Sequence, residues 1–168
     1  MIAKGQQLLA FVLSEESVMA VTYRQGTLQE CVLAANQIDE FVSKESVASL
    51  SDRLAGKRSL ILVAEEKGHI LGFKIGYERD KNTFYSWFGG VTSRARNKGV
   101  AQALLEAQEI WVRQRGYDRI KVKSRNQYPA MLRLLLRNGY LIEGIEEKEL
   151  VIEHRIHFVK PLQNGHKN

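Results

Sequence analysis

The spacing of apolar and polar positions predicts a strand and two short helices in the first third of the chain. The stretch "SVMAVTYRQG" is rich in β-branched and apolar residues and stops at Gly26, which predicts a strand from Val18 to Arg24. Behind it, Thr27 to Glu30 has the form of a capping box, and apolar residues follow at helical spacing. A second helix is predicted to begin near Ser46 and to end before Gly56.

Three apolar runs come next, separated by the polar stretches "EEKGH" and "RDKN". Turns of this length suit antiparallel hairpins. The pattern therefore predicts a meander of three strands, Leu60 to Glu65, Ile70 to Glu78 and Thr83 to Val91.

The second half of the chain alternates between helical and strand patterns. A helix that ends at Gly116 is indicated by apolar residues on one face, at Ala101, Leu104, Leu105, Trp111 and Val112. The alternating stretch "DRIKVKS" predicts a strand, and Pro129 suits the first turn of a helix over Ala130 to Arg137. Two last strands, Tyr140 to Ile145 and Leu150 to Val159, complete the pattern as a predicted hairpin.

The predicted order is β-α-α-β-β-β-α-β-α-β-β, which indicates an α/β protein with one mixed sheet and helices on its faces. The third helix requires a parallel step, because a strand-helix-strand crossover usually returns the chain parallel. We expect one domain over residues 17–160, preceded by an N-terminal extension of unknown structure at 1–16 and followed by a tail at 161–168.

Composition narrows the class of protein. At 168 residues, with 44% hydrophobic and 26% charged residues, the chain fits one ordinary globular domain. It has no apolar run long enough to span a membrane and no signal-peptide pattern, so we expect a cytoplasmic protein. The one cysteine, Cys31, cannot form an internal disulfide, and the four histidines lack the spacing of a zinc site, so no metal is expected.

The positive charge is concentrated in one part of the sequence. The chain has a formal net charge of +6, yet residues 94–137 alone hold eleven lysines and arginines against three acids, Glu106, Glu109 and Asp118. This local excess favours an anionic partner, although solvated helix faces would also account for it. Nucleic acid is an unlikely partner, because no nucleic-acid-binding motif accompanies the charge.

The stretch "TSRARNKG" lies between a predicted strand and a predicted helix. A loop that enters a helix points several backbone N–H groups outward at the positive end of the helix dipole. A glycine there, Gly99, lets a phosphate approach the backbone. The loop therefore suits a diphosphate, unless Gly99 merely begins a surface helix. The GxxxxGK[ST] and GxGxxG phosphate motifs are absent.

The residues of this loop resemble a known family. Arg96-Asn97-Lys98-Gly99-Val100-Ala101 matches the R/Q-x-x-G-x-G/A motif of the GNAT superfamily of N-acetyltransferases, five residues after Val91. The stretch "VKSRNQYPAMLRLLLRNGYLIEG" resembles the second signature of that superfamily, a strand, an Asn, a helix and a Gly-aromatic pair, here Gly139-Tyr140. The resemblance extends from about Val18 to Val159 and includes the order of the elements.

The resemblance implies a GNAT-type fold whose fourth and fifth strands splay apart, with acetyl-CoA bound between them as cosubstrate. The backbone of Gly90 and Val91 would bind the pantetheine arm. The diphosphate would lie on the loop amides, and Asn126 would contact the pantetheine or the adenosine phosphate, unless it only forms a turn. The implied diphosphate residues are Arg96, Asn97, Lys98, Gly99, Val100 and Ala101.

The chain departs from the GNAT pattern where many members have catalytic groups. The strand position that often carries a carboxylate base is Tyr85, and the helix position that often carries a tyrosine acid is Leu135. We consider Glu78 a substitute base and Tyr128 a substitute acid, each against the alternative of an exposed carboxylate or a packing aromatic. Tyr77, Tyr85, Trp87 and Tyr128 suggest an aromatic acceptor pocket, although core packing also explains aromatic strand residues.

Two functions therefore stay open. The first is an N-acetyltransferase that moves an acetyl group from acetyl-CoA to a primary amine of a small molecule or protein, directly and in a ternary complex. The second is a non-catalytic module that binds an acyl-CoA and acts through a partner. A homodimer is compatible with either function.

Overall fold

The computed structural model describes residues 21–41 and 44–162. In this part of the chain seven strands form one sheet in the order β1-β2-β3-β4-β5-β7-β6. The strands are β1 Thr22–Gln25, β2 Ser59–Glu66, β3 His69–Asp80, β4 Thr83–Val91, β5 Arg119–Arg125, β6 Leu141–Glu146 and β7 Arg155–Pro161. The α-helices are α1 Leu28–Ala35, α2 Val47–Leu54, α3 Val100–Gln114 and α4 Pro129–Arg137, and short 3-10 turns lie at Ser93–Ala95 and Val151–Glu153.

The capping box predicted for the first helix is present. The backbone N–H of Glu30 donates to the Thr27 hydroxyl at 3.2 Å, and the backbone N–H of Thr27 donates to the Glu30 carboxylate at 3.0 Å. These bonds satisfy two backbone amides that have no acceptor within the helix, so the helix begins at a defined residue. An analogous box between Ser46 and Ser49 begins α2.

The sheet separates two hydrophobic cores. Helices α3 and α4 cover one face, where Leu104, Leu105 and Leu135 pack with Phe84 and Ile120. Helices α1 and α2 cover the other face only over the first strands, and their Cys31 and Leu50 pack with Phe73, Ile75 and Tyr85. The face of β5, β7 and β6 on the α1 side therefore has no helix over it in the described residues.

The predicted order of elements and the fold class are confirmed. Strand β4 pairs with β5 in parallel, and all other strand pairs in the described sheet are antiparallel. The crossover through α3 is therefore the parallel step that the sequence predicts.

The ends of two predicted strands differ from the structure. Strand β7 begins at Arg155, because a 3-10 turn replaces the predicted strand start at Leu150. The backbone carbonyls of Ile152 and His154 accept hydrogen bonds from the amides that follow β5, so this segment is held against β5 before it can pair with β6. The first strand begins at Thr22, and the predicted residues 18–20, like the predicted extension 1–16, lie outside the described residues.

The last strand runs past the predicted domain end. Strand β7 continues to Pro161, and Leu162 is buried in the core of the α3 face. The backbone N–H of Leu162 also donates to the carbonyl of Asp118 at 2.8 Å. Across the described segments, the helices are all too short or too polar to cross a membrane.

Candidate active site

Strands β4 and β5 diverge halfway along their length. Their parallel pairing joins Thr83–Ser86 to Arg119–Val122 and ends there, although β4 continues to Val91 and β5 to Arg125. A bulge marks the same point on the other side of β4, because Ser86 pairs with Gly76 and Phe88 with Ile75, which leaves Trp87 without a partner on β3. From Trp87 onward, β4 therefore has one backbone edge that no described strand pairs with, and a gap opens between β4 and β5.

The loop after β4 presents a row of amides at the mouth of this gap. Asn97 and Gly99 both adopt positive φ, 61° and 75°, and α3 begins directly afterwards at Val100. None of the backbone N–H groups of residues 97–102 donates to an acceptor in the described residues. A Cβ added at Gly99 would meet nothing within 4 Å, so the space above the loop is open. Undonated amides at a helix N-terminus favour an anion.

Arg96 is bound to a residue that sequence reasoning missed. Its two terminal nitrogens donate to the two carboxylate oxygens of Glu40 at 2.7 and 2.8 Å, and the backbone carbonyl of Glu40 accepts from the Tyr128 hydroxyl at 3.4 Å. The Arg96 hydrogen bonds lower the pKa of Glu40 to about 2. Because Arg96 follows β4 and Tyr128 follows β5, Glu40 connects the two sides of the gap. Glu40 is 56 residues from Arg96 in the sequence, and no local pattern indicates this contact.

The glycines at the end of β4 allow close packing. A Cβ on Gly90 would lie 2.6 Å from the Ile38 side chain and 2.9 Å from the Phe41 ring. A Cβ on Gly89 would lie 3.0 Å from the carbonyl oxygen of Phe73. The segment after α1 can therefore lie directly on this part of β4. No side chain at Gly89 or Gly90 covers the backbone of β4.

Lys74 is a buried lysine beside these glycines. It pairs with Gly89 in the ladder and is 7% exposed, and its ammonium has no hydrogen-bond acceptor among the described residues. Burial lowers the pKa of Lys74 to about 8, and the nearby charge of Glu109 opposes this shift. Gln108, one residue before Glu109 on α3, is fully buried with both amide atoms unpaired among the described groups. Lys74 was not predicted, although its place between two core residues of an apolar run was a signal.

An aromatic wall lies on the α1 side of the point where β4 leaves β5. We define it as Tyr77, Tyr85 and Trp87. The Tyr77 ring lies 5.4 Å from the Tyr85 ring and 6.0 Å from the Trp87 ring between centroids. Burial raises the pKa of Tyr85, and the charge of a Tyr77 phenolate would add to this, whereas Arg79, Arg53 and Arg155 act against it. Tyr85 therefore stays protonated at neutral pH, which makes its hydroxyl a hydrogen-bond donor and not a base.

A shallow groove beside Tyr85 brings polar side chains of β3, β5, β6 and β7 together. It is lined by Arg79, Lys121, Lys123, Glu143 and His157. The Nε2 atom of His157 lies 3.2 Å from a carboxylate oxygen of Glu146. His157 is a third residue that sequence reasoning missed as a site candidate, because the strand pairing that places it here joins distant parts of the chain.

The structure separates Glu78 from this wall. Glu78 pairs with Phe84, as predicted, so it faces the α3 side, whereas Tyr85 faces the α1 side. Burial and then the charge of Glu78 raise the pKa of Tyr117, which places Glu78 beside that core tyrosine. It also lies at the paired end of β4 and β5, away from the gap. The geometry therefore does not favour Glu78 as the base.

The other predicted residues lie around the gap or in the core. Leu135 is fully buried in the core of the α3 face, so a tyrosine side chain would not fit at this position without repacking. The side-chain amide of Asn126 donates to the Val151 carbonyl at 2.9 Å, which favours the turn interpretation. Burial raises the pKa of Cys31 to about 12. Within the described ranges, no three His, Cys, Asp or Glu side chains cluster as metal ligands would.

Comparison with known proteins decides the family. A sequence model of the Acetyltransferase (GNAT) family matches residues 28–140, which is more than half of the chain. The chain belongs to the GNAT family of acetyltransferases. The predicted resemblance is thereby confirmed, and the diverging strands and the amide-rich loop described above lie within the matched range.

Solved GNAT structures share the fold. The ribosomal-protein-S18-alanine N-acetyltransferase from Escherichia coli superposes with a TM-score of 0.75 at 18% identity, covering 89% of this chain and 98% of that one. A GNAT phosphinothricin acetyltransferase from Sinorhizobium meliloti, solved with acetyl-CoA, gives 0.67 at 16% identity over 88% and 91%. A GNAT acetyltransferase from Elizabethkingia anophelis with acetyl-CoA bound gives 0.65 at 18% identity over 84% and 98%. At these identities the likeness establishes the fold.

Proposed function

We propose that this GNAT protein transfers an acetyl group from acetyl-CoA to a primary amine of a small molecule or protein, directly and in a ternary complex. The observation that carries the proposal is the combination of the β4–β5 gap with six undonated amides, residues 97–102, at its mouth. Acetyl-CoA in two structural neighbours, named above, supports the same cosubstrate for this chain.

The residues around the gap fit the parts of acetyl-CoA. The amides of residues 97–102 would bind the diphosphate, with Arg96 and Lys98 adding positive charge. The free edge of β4 at Gly90 and Val91 would donate to and accept from the pantetheine amides. When bound, this cosubstrate supplies an activated acetyl group as a thioester.

The chain's own groups then have defined tasks. An amine that enters from the α1 side reaches the apex of the gap beside the aromatic wall. There the Tyr85 hydroxyl can donate a hydrogen bond to the thioester carbonyl oxygen as negative charge develops on it. His157, in the adjacent groove and oriented by Glu146, can accept the proton that the amine loses. Tyr128 already donates to Glu40 and would act only after that bond is exchanged.

Direct transfer is supported by the state of the one cysteine. Cys31 lies in α1, is fully buried and keeps its proton at neutral pH, so it is a poor nucleophile. Holding the amine against the thioester can itself contribute roughly 7 to 11 kcal/mol in favourable model reactions.

The test is a calorimetric titration with CoA followed by a thiol-release assay with acetyl-CoA and a panel of primary amines. We expect saturable CoA binding and release of CoA thiol that depends on at least one amine. Binding without turnover on any amine would replace this proposal with the non-catalytic acyl-CoA module. Absence of CoA binding would overturn both.

A further inference from the structure

Three cationic side chains surround the aromatic wall, and none of them has a carboxylate partner among residues 21–41 and 44–162. The guanidinium carbon of Arg53 lies 5.2 Å from the Trp87 ring centroid, and that of Arg79 lies 5.2 Å from the Tyr85 centroid. The Lys57 ammonium lies 5.1 Å from the Tyr77 centroid. No salt bridge in the described residues involves Arg53, Lys57 or Arg79.

Two neighbouring lysines of β5 on the same sheet face are paired. Lys121 forms a salt bridge with Glu143 at 3.1 Å, and Lys123 approaches Glu146 at 4.0 Å. Among the described residues, carboxylates therefore neutralise these β5 lysines but not the charges around the wall. The positive charge there is therefore available to a ligand.

Arg53 is held in one orientation with its binding edge free. Its Nε donates to the Tyr77 hydroxyl at 3.2 Å, and its guanidinium plane lies near two rings, those of Trp87 and Tyr77. The two terminal nitrogens of Arg53 make no hydrogen bond within the described segments. A guanidinium fixed in this way presents two parallel N–H donors, the geometry that binds a carboxylate in bidentate fashion.

These charges converge on the apex of the gap. The positive charges of Arg79, Arg53 and Arg155 all act on the Tyr85 hydroxyl, although these residues belong to three separate elements, β3, α2 and β7. Tyr85 is the last wall residue before the bulge at Trp87, where β4 leaves β5. An acceptor whose amine reaches the apex would therefore place the rest of its structure against the arginines.

We propose that Arg53 and Arg79 form a carboxylate-binding subsite, so that the acceptor is an amine whose own molecule carries a carboxylate. The identity of the ligand as an acetyl acceptor rests on the proposed function, but binding of a carboxylate at the subsite does not depend on turnover. Arg53 binds the carboxylate end-on, and Arg79 contributes charge from its place over the Tyr85 ring. The carboxylate then fixes the distance from which the amine approaches the apex.

The test uses Trp87 as a fluorescent reporter. Trp111→Phe removes the other tryptophan, which lies on the α3 face with its ring nitrogen unpaired among the described groups, and leaves Trp87 in the wall. This variant is titrated with β-alanine, γ-aminobutyrate and δ-aminovalerate and with the amide of each. We expect at least one acid to bind about tenfold or more tightly than its amide, because the neutral amide cannot accept a bidentate charge-assisted pair of hydrogen bonds from Arg53.

Arg53→Gln should then bring the best acid and its amide to similar affinity, and Arg79→Gln should produce a smaller loss. Arg137→Gln is the matched control, because it removes an exposed arginine from the last turn of α4, away from the wall. Equal binding of acids and amides, no binding of any acid, or equal effects of Arg53→Gln and Arg137→Gln would overturn the subsite.

The same amines in the thiol-release assay distinguish the two proposals. Preference for acids in binding, lost in Arg53→Gln, supports the subsite even if no amine is acetylated, in which case the proposed function fails alone. Turnover of amides and acids with equal KM sustains the proposed function and overturns the subsite.

Discussion

The two ends of the β4–β5 gap are built from different parts of the polypeptide. At the mouth, the groups that would face the proposed cosubstrate are the backbone amides of residues 97–102 and the edge of β4 beside Gly90 that no described strand pairs with. At the apex they are side chains, namely the aromatic wall with Arg53 and Arg79 around it. A main-chain site depends on backbone conformation and tolerates many side chains, whereas a side-chain site changes its chemistry with each substitution. The difference accounts for a loop that resembles the GNAT motif beside an apex where Tyr85 departs from the expected GNAT pattern.

The largest effect is expected from Gly99→Glu at the mouth. Glutamate would place bulk and negative charge where the diphosphate meets the amides, and it would also adopt an unfavourable positive φ. We expect the Kd for CoA to rise about a hundredfold or more, measured by calorimetry.

Gly99→Asn is the control for that substitution, because asparagine tolerates a left-handed φ and carries no charge. It should weaken CoA binding far less than Gly99→Glu. An unchanged Kd in Gly99→Glu would show that the diphosphate does not bind to this loop.

At the apex, Tyr85→Phe is expected to lower kcat by about tenfold to a hundredfold, because it removes the protonated hydroxyl that we propose donates to the reacting group. The Kd for CoA should change little, since the mouth does not depend on this side chain. Steady-state kinetics and calorimetry on the same preparation measure both.

Tyr77→Phe serves as the paired variant for Tyr85→Phe. Its hydroxyl accepts from Arg53, so its loss should raise the KM of the acceptor more than it lowers kcat. If both tyrosine variants reduce only KM, Tyr85 binds the acceptor and has no part in the chemical step.

Lys74 tests whether the mouth binds CoA through backbone groups alone or also through a side chain. Methionine has an unbranched side chain like that of lysine but carries no charge. Lys74→Met should therefore raise the free energy of unfolding at about pH 7 by about 1 to 3 kcal/mol. If CoA affinity stays unchanged, the mouth binds through its main chain alone. A clear loss of CoA affinity would instead place the Lys74 ammonium on the ligand.

The pH dependence of the same pair of proteins checks the ionisation of Lys74. Below the folded pKa of about 8, Lys74 is charged in both states and its burial destabilises the fold. Between that value and the usual lysine pKa of 10.5, the folded state has lost the proton while the unfolded state keeps it, so stability rises with pH. Urea unfolding at about pH 7 and about pH 10 should therefore show that the free energy of unfolding of the wild type rises relative to that of Lys74→Met as the pH increases.

The smallest effect is expected from Glu40→Gln. A diphosphate must compete with the Glu40 carboxylate for Arg96, so freeing Arg96 should tighten CoA binding by a few-fold, the scale of an exposed salt bridge. Asp39→Asn is the control, since it removes a neighbouring charge that acts on Arg96 without forming this contact. Weaker CoA binding in Glu40→Gln would show that the contact positions the loop for the ligand.

Prediction from the sequence was most successful where one local rule decides. The capping box at Thr27, the order of strands and helices and the glycine in the loop before α3 were all predicted, because each depends on residues close together in the chain. For Glu78, a local rule predicted only the strand pairing. Its hairpin partner Phe84 was predicted, but the face of the sheet that both residues occupy depends on the helices packed there.

The amino-acid sequence specified the fold and the amide-rich loop, since hydrophobic period, caps and a left-handed glycine act over a few residues. Tertiary packing specified which side chains meet at the apex. Arg53 reaches Tyr77 across 24 residues and Glu40 reaches Arg96 across 56, because α2 and the segment after α1 pack on the face of β3 and β4. Such contacts depend on how α1, α2 and the segment after α1 pack on the sheet, and no local pattern in the chain encodes them.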